Sequence, residues 1–198
     1  MDPLGSLREE HSSALRELYT LDRQLGWVES SAPPVTRRAL VQLLSTSQKL
    51  ASDLSSHFQK EEKTLYPLLE RRMADKAEPV ILMREEHKRL SARLDSFTSE
   101  VMRMLREHDT RKTWELSSKL QDLRSELSDH VSREEEVLFW LAEIHLSRND
   151  RNKIYAELSQ TRNETGAAAS STPDRHRLKA VAPKLYTART HTNPGILQ

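Results

Sequence analysis

His-Phe-Gln-Lys-Glu-Glu at residues 57–62 returns as His-Val-Ser-Arg-Glu-Glu at residues 130–135, the two histidines 73 positions apart. In each copy a His and a Glu stand four apart. On an α-helix that spacing puts both side chains on one face, one turn apart. A second motif, Arg-Glu-Glu-His, occurs at 8–11 and again at 84–87, its histidines 76 residues apart. The chain therefore carries, in order, His11, His57 with Glu61, His87, and His130 with Glu134. Imidazole and carboxylate together suit iron, manganese or zinc. The pattern reads as a binuclear metal site inside a bundle of helices.

The flanking sequence supplies the helices. Apolar residues recur at spacings of three and four in four segments. The first stripe runs from Leu4 through His11 to Leu25, before Gly26 and a loop at 30–34. The second runs from Leu40 through His57, Glu61 and Leu65 to Leu68, and stops near Arg72. The third runs from Val80 through Met83 and His87 to Met104 and His108, with Pro79 suited to its first turn. The fourth runs from Trp114 through Leu127, His130, Glu134, Val137 and Leu141 to Ile144. Asp109 or Thr110 would cap its start and Asn149 its end. Short loops between long amphipathic helices predict an all-α fold, an up-down-up-down antiparallel four-helix bundle over 1–148. A short helical extension over 149–162 would use Ile154, Tyr155 and Leu158. From 163 to 198 sustained periodicity is lost, and five basic residues face two acidic ones. That segment reads as a disordered, mildly basic tail.

Composition agrees and excludes several classes. Of 198 residues, 31% are charged, 5% aromatic and only four are Gly, a balance that favours long helices. A net charge of +1 calls for neither nucleic acid nor an acidic membrane surface. With no Cys, thiolate metal sites, disulfides and Cys catalysis are excluded within this chain. No apolar run is long enough to span a membrane, and the N-terminus does not read as a signal peptide. The expected location is the cytoplasm.

All six proposed ligands sit on the apolar stripes, where a charged Glu costs several kcal/mol unless it is paired or metal-bound. Their depth along the bundle also agrees. At 1.5 Å rise per residue, Glu61 lies roughly 16 Å before the end of its helix, His87 roughly 15 Å after the start of its own, and Glu134 roughly 18 Å before its end. His11 falls toward the same end. His108 lies roughly 31 Å beyond His87, and His145 roughly 16 Å past Glu134, so neither belongs with the six. His176 and His191 fall in the tail. Glu9, Glu10, Glu85 and Glu86 read as a solvated face or as first-turn helix-dipole partners, Glu62 and Glu135 as outer neighbours of the site or surface, with an extra ligand the lesser alternative for Glu135. Trp114, Trp140, Tyr66 and Phe139 read as packing residues.

Four His nitrogens and two bridging carboxylates make about eight protein donors, four per metal. A bridging oxo or hydroxo group would raise that to about five, leaving roughly one open position on a six-coordinate ion. Such a position can take O2, peroxide or NO.

The residues His11, His57-Phe58-Gln59-Lys60-Glu61-Glu62, Leu65-Tyr66-Pro67, His87 and His130-Val131-Ser132-Arg133-Glu134-Glu135 resemble the hemerythrin-like family, also called the HHE cation-binding domain. The resemblance covers roughly 1–146. It implies a four-helix bundle holding two non-haem Fe ions bridged by the two Glu carboxylates. Family members carry or sense O2, respond to NO, handle peroxide, sense iron or help repair iron–sulfur centres. Oxygen-carrying members have a fifth His one turn before the one matching His87, where this chain has Met83. The resemblance thus implies a di-iron protein responding to O2, NO or peroxide, without reversible oxygen carriage. A di-iron enzyme acting on peroxide or O2, and an iron-handling or iron–sulfur repair protein, are the alternatives, ahead of a metal-free helical interaction module. A protein partner is open.

Overall fold

The structure is a computed structural model that describes residues 4–30, 33–74, 77–107 and 113–169. Every long element in it is helical. Helix α1 spans Gly5–Ser30. Helix α2 is continuous over 33–73: an α-helical stretch Pro33–Lys60, a π-helical turn Glu61–Leu65, and an α-helical stretch Tyr66–Met73. Helix α3 spans Glu78–Glu107. Helix α4 repeats the plan of α2, with Thr113–Arg133, a π turn Glu134–Leu138, and Phe139–His145. Helix α5 spans Arg148–Ala169.

Cross-helix pairs give the packing. Between α1 and α2, Glu10 meets Lys60, Glu17 meets Lys49, and Gln24 meets Thr46. Rising numbers on one helix meet falling numbers on the other, so the two run in opposite senses. Between α3 and α4, Arg89 pairs with Glu126 and Ser96 with Lys119. Between α1 and α4, His11 meets Glu135 and Ser117 meets Glu29. α2 packs on α3 as well.

Two apolar clusters fill the interior. The larger, with Leu18, Leu43, Leu50, Leu94, Phe97 and Leu120 among its members, occupies the half distant from the histidines. The smaller, with Leu7, Leu65, Met73, Val80, Phe139 and Ile154, closes the other end. The six polar residues of the motifs form a layer between them.

The two π turns correct the periodicity read from the sequence. A π turn inserts one residue into the helix and rotates everything after it. In α4 the regular spacing predicts Val137, Leu141 and Ile144 inside. Leu138, Phe139 and Ala142 are buried and Leu141 packs partly buried against the smaller cluster, while Val137 and Ile144 are 44% and 55% exposed. Trp114 and Trp140, read as packing residues, are exposed too.

Helix boundaries differ at three places. Pro33 and Pro34, expected in a loop, open α2. α4 stops at His145, not Asn149, because Leu146 turns extended with φ −86° and ψ 127°. Asn149 instead lies in α5, whose first turn is held by Asp150: its Oδ2 accepts from Ser147 N–H and Oγ–H and from the Arg72 guanidinium. α5 continues seven residues past 162, into the segment read as tail, and residues from 170 onward lie outside the described residues. So do His108, Asp109, Thr110, His176 and His191.

α5 is docked through Ile154 and Leu158, both buried in the smaller cluster, while Tyr155 is 37% exposed. Ile154→Ala is therefore expected to cost about 2–4 kcal/mol in urea unfolding. Tyr155→Ala should cost under about 1 kcal/mol. Equal small losses from both would mean that α5 does not pack where Ile154 lies.

Candidate metal centre

Each π turn begins at one of the two motif carboxylates, Glu61 and Glu134. Single π turns inside α-helices cluster at functional sites. Here they place a wider turn directly after each Glu, on both halves of the repeat. All six predicted residues are buried, with Glu61 and Glu134 at zero exposure.

The structure brings the six together. His11 Nε2 and His57 Nε2 are 2.9 Å apart. Glu61 Oε1 lies 3.0 Å from His57 Nε2, while its Oε2 lies 3.4 Å from His87 Nε2. One carboxylate thus spans two histidine groups. Glu134 Oε2 is 3.2 Å from His11 Nε2 and 3.6 Å from His130 Nε2. Donor atoms of His11, His57, Glu61 and Glu134 all fall within 4.8 Å of one another. His87 and His130 form the second pair, ring centroids 4.9 Å apart.

Short distances do not make these groups satisfied. Both oxygens of Glu61, Oε2 of Glu134 and Nε2 of His130 are buried without a hydrogen-bond partner. Buried polar atoms are nearly always paired, and a buried unpaired carboxylate is costly. Four such atoms converging on one spot fit a cation between them, and hard oxygen plus imidazole nitrogen fits iron.

Outside this layer stands a second one, which explains the remaining motif letters. The Nδ1–H of His57 donates to Glu10 at 2.9 Å, that of His87 to Glu62 at 2.8 Å, that of His130 to Glu86 at 3.0 Å, and that of His11 to Glu135 at 2.8 Å. Each Glu comes from the preceding helix in the cycle α1, α2, α3, α4, so the four helices are joined in a closed ring. Carboxylates on Nδ1 fix the tautomer and turn every Nε2 inward. The sequence reading anticipated Glu62 and Glu135 beside the site. It misassigned Glu10 and Glu86 to a solvated face, and Glu86 is in fact buried. Their signal was present: each directly precedes the His of an Arg-Glu-Glu-His motif. Glu9 is exposed, and Glu85 is exposed and paired with Lys88, as expected.

Tyr66 also belongs to the site rather than to plain packing. Its hydroxyl donates to Glu134 Oε1 at 3.0 Å and lies 3.2 Å from His87 Nε2. The matching residue of the repeat, Phe139, has no hydroxyl. The two rings play equivalent packing parts: Tyr66 stacks on His87 and Phe139 on His11, at centroid distances of 5.6 and 5.8 Å. Met83, one turn before His87, is buried in the smaller cluster.

Protonation follows the geometry. Burial pulls the His57 imidazole down, but Glu61 and Glu10 outweigh it and its pKa rises to about 10. His11 is also raised: burial opposes, and the negative charge of the Glu134 carboxylate beside it prevails, with that of Glu61. His87 falls to about 3 through burial and its neighbour His130, and His130 is lowered chiefly by burial. Burial and the charge of Glu134 raise Glu61, whereas Glu134 is lowered, its burial overcome by His11 and the other imidazoles. Burial and the two carboxylates hold Tyr66 in its protonated form. Without a metal, protons on His11 and His57 supply the positive charge that the carboxylates demand.

Glu86→Gln tests the outer ring. An amide in place of the carboxylate weakens the hold on His130, and such changes typically cost about 10–100-fold in metal affinity. Competition with a chromophoric chelator would measure it. An unchanged affinity would mean that the ring does not orient the donors.

Comparisons with known proteins agree with this geometry. Residues 2–142 match the model described as the hemerythrin HHE cation binding domain. Curated relatives include proteins named iron-sulfur cluster repair protein YtfE from Escherichia coli (strain K12 / DH10B) and from Shigella boydii serotype 18. Each is 28% identical over 133 residues, covering 66% of this chain and 59% of the relative. The chain thus spans under two thirds of the length of those relatives. A match across most of the bundle, together with the doubled motif at its buried layer, makes the chain a member of the hemerythrin HHE cation-binding domain family.

Proposed function

We propose that this chain is a non-haem di-iron protein that binds or responds to O2, NO or peroxide. The observation that carries the reading is the convergence of unpartnered buried atoms on Glu61, Glu134 and His130. In this reading His11 and His57 hold one ion, His87 and His130 the other, and Glu61 and Glu134 bridge them. Iron there would supply redox chemistry and open positions for a small ligand. The protein's own part is to orient and shield. The Glu ring fixes four imidazoles, the Tyr66 hydroxyl steadies Glu134, and the apolar clusters keep bulk water from both ends.

The bundle itself we take as up-down-up-down over 1–148, with the extension from 149 and the tail from 163 as appendages. No described helix is long and apolar enough to cross a membrane, and we place the protein in the cytoplasm. The name of the relatives favours a second reading, an iron-handling or repair protein. Met83 in place of a fifth imidazole supports it too, since fewer donors hold iron less tightly. Turnover of peroxide or O2 is the enzymatic form of the first reading.

Metal analysis of aerobically purified chain produced with ample iron should give about two Fe per chain, because the donor set holds about four protein donors for each of two ions. Oxo-to-iron charge-transfer bands should accompany it. One tightly held zinc, with no iron taken up after anaerobic reconstitution, would overturn the proposal.

A further inference from the structure

The two sides of the metal layer differ in access. His87 is enclosed between aromatic rings, with Phe58 stacked at 3.8 Å and Tyr66 at 5.6 Å. A cavity of about 260 Å³ opens between α1, α2 and α4, lined by His11, His57 and His130 but not by His87. With a water occupying about 30 Å³, it has room for several waters or a small ion, not for a large organic molecule. Ser13 and Ser56, both half-buried, and the charged pair Glu10 and Lys60 also line it.

Glu10 is shared. Its Oε2 accepts the His57 Nδ1–H at 2.9 Å and its Oε1 accepts from Lys60 Nζ at 2.6 Å. The side chains of Lys60 and Glu10 are 13% and 31% exposed, so the pair sits at the edge of the buried site. Lys60 there cancels the charge of a carboxylate that the site needs for another purpose. Removing the ammonium leaves Glu10 as net negative charge in the wall of the cavity, with Asp53 nearby in the same wall.

We propose that this cavity is the route by which small ions reach the His11 and His57 side of the centre, and that Lys60 sets which charge passes. The proposal rests on the metal-centre reading above. A single charge a few ångströms from the path changes the local potential enough to alter association rates several-fold. Anions entering should be helped by Lys60 and cations entering should be hindered by it.

The test uses the full chain. Stopped-flow mixing would measure azide association with the iron-loaded, oxidised protein, NO association with the iron-loaded, reduced protein, and Co2+ uptake by the metal-free protein. Lys60→Met is expected to slow azide about 3- to 10-fold, to speed Co2+ uptake by a similar factor, and to leave NO, a neutral ligand, within about 2-fold. Ser56→Trp is expected to slow all three by obstructing the route. Ser13→Trp, across the cavity on α1, serves the same purpose if Ser56→Trp fails to fold by circular dichroism. Lys60→Met shifting azide and Co2+ rates in the same direction, or neither, would overturn the assignment of Lys60. Plugged variants with wild-type rates would overturn the route. A wild-type chain that takes up no stoichiometric metal would overturn the metal-centre reading itself, and this proposal with it. Normal metal content with unmoved rates would overturn this proposal alone.

Discussion

Glu61→Ala is expected to remove both metals, while His11→Ala removes mainly one. The two oxygens of Glu61 face different histidine groups, His57 at 3.0 Å and His87 at 3.4 Å. A bridge serves two ions, and losing it withdraws a negatively charged donor from each. His11 is a single terminal nitrogen on one side of the layer. Removing it leaves the His87 and His130 pair, with both carboxylates, in place. Glu134→Ala should resemble Glu61→Ala, because Glu134 Oε2 lies within 3.2 Å of His11 Nε2 and 3.6 Å of His130 Nε2. In the metal-free protein Glu61 faces a protonated His57 at 3.0 Å, so deleting it strands a buried imidazolium, and the thermal midpoint should fall there as well. The checks are iron per chain after gel filtration and the thermal midpoint with and without metal. Equal, small losses of metal from all three substitutions would contradict the bridging assignment.

Iron-loaded, reduced protein exposed to air is expected to oxidise and to stay oxidised when returned to nitrogen without reductant. Reversible carriage requires that one ion be saturated by protein donors and the other keep one protected opening. Met83 is buried one turn before His87, among Val80, Leu138 and Phe139. A thioether is a poor donor for such iron, so each of two ions would have about four protein donors and neither would be saturated. The cavity at His11 and His57 adds a path for water and small anions. Repeated cycling between air and nitrogen, followed by absorption spectra, measures the effect. Full recovery of the starting reduced spectrum over several cycles would show that the donor shell is more complete than these residues supply.

Much of the centre was legible in the linear chain because helices translate spacing into direction. His57 with Glu61 and His130 with Glu134 each stand one turn apart, and local geometry alone puts them on one face. Four stripes with polar residues at matched depths were enough to expect that His11 and His87 join them, and the structure brings all six together. Only packing decided the rest. The phase of each helix after its motif Glu depends on a π turn, and a π turn depends on what the neighbouring helices and the buried charges will accept. Regular spacing therefore put Val137 and Ile144 inside, where the structure has Leu138, Phe139 and Ala142. The partners of the imidazoles were equally hidden. Glu10 lies 47 residues from His57, Glu86 lies 44 from His130, and Glu135 lies 124 from His11. Position in the motif separates Glu10 and Glu86 from Glu9 and Glu85, which face solvent, but it does not say which imidazole each one meets. The residues of the motifs, their order and their helical phase determined the family and the six candidate ligands. The ring of outer carboxylates, the Tyr66 hydroxyl on Glu134 and the opening beside Lys60 came from tertiary structure, because each is a contact between helices whose relative rotation no local periodicity specifies.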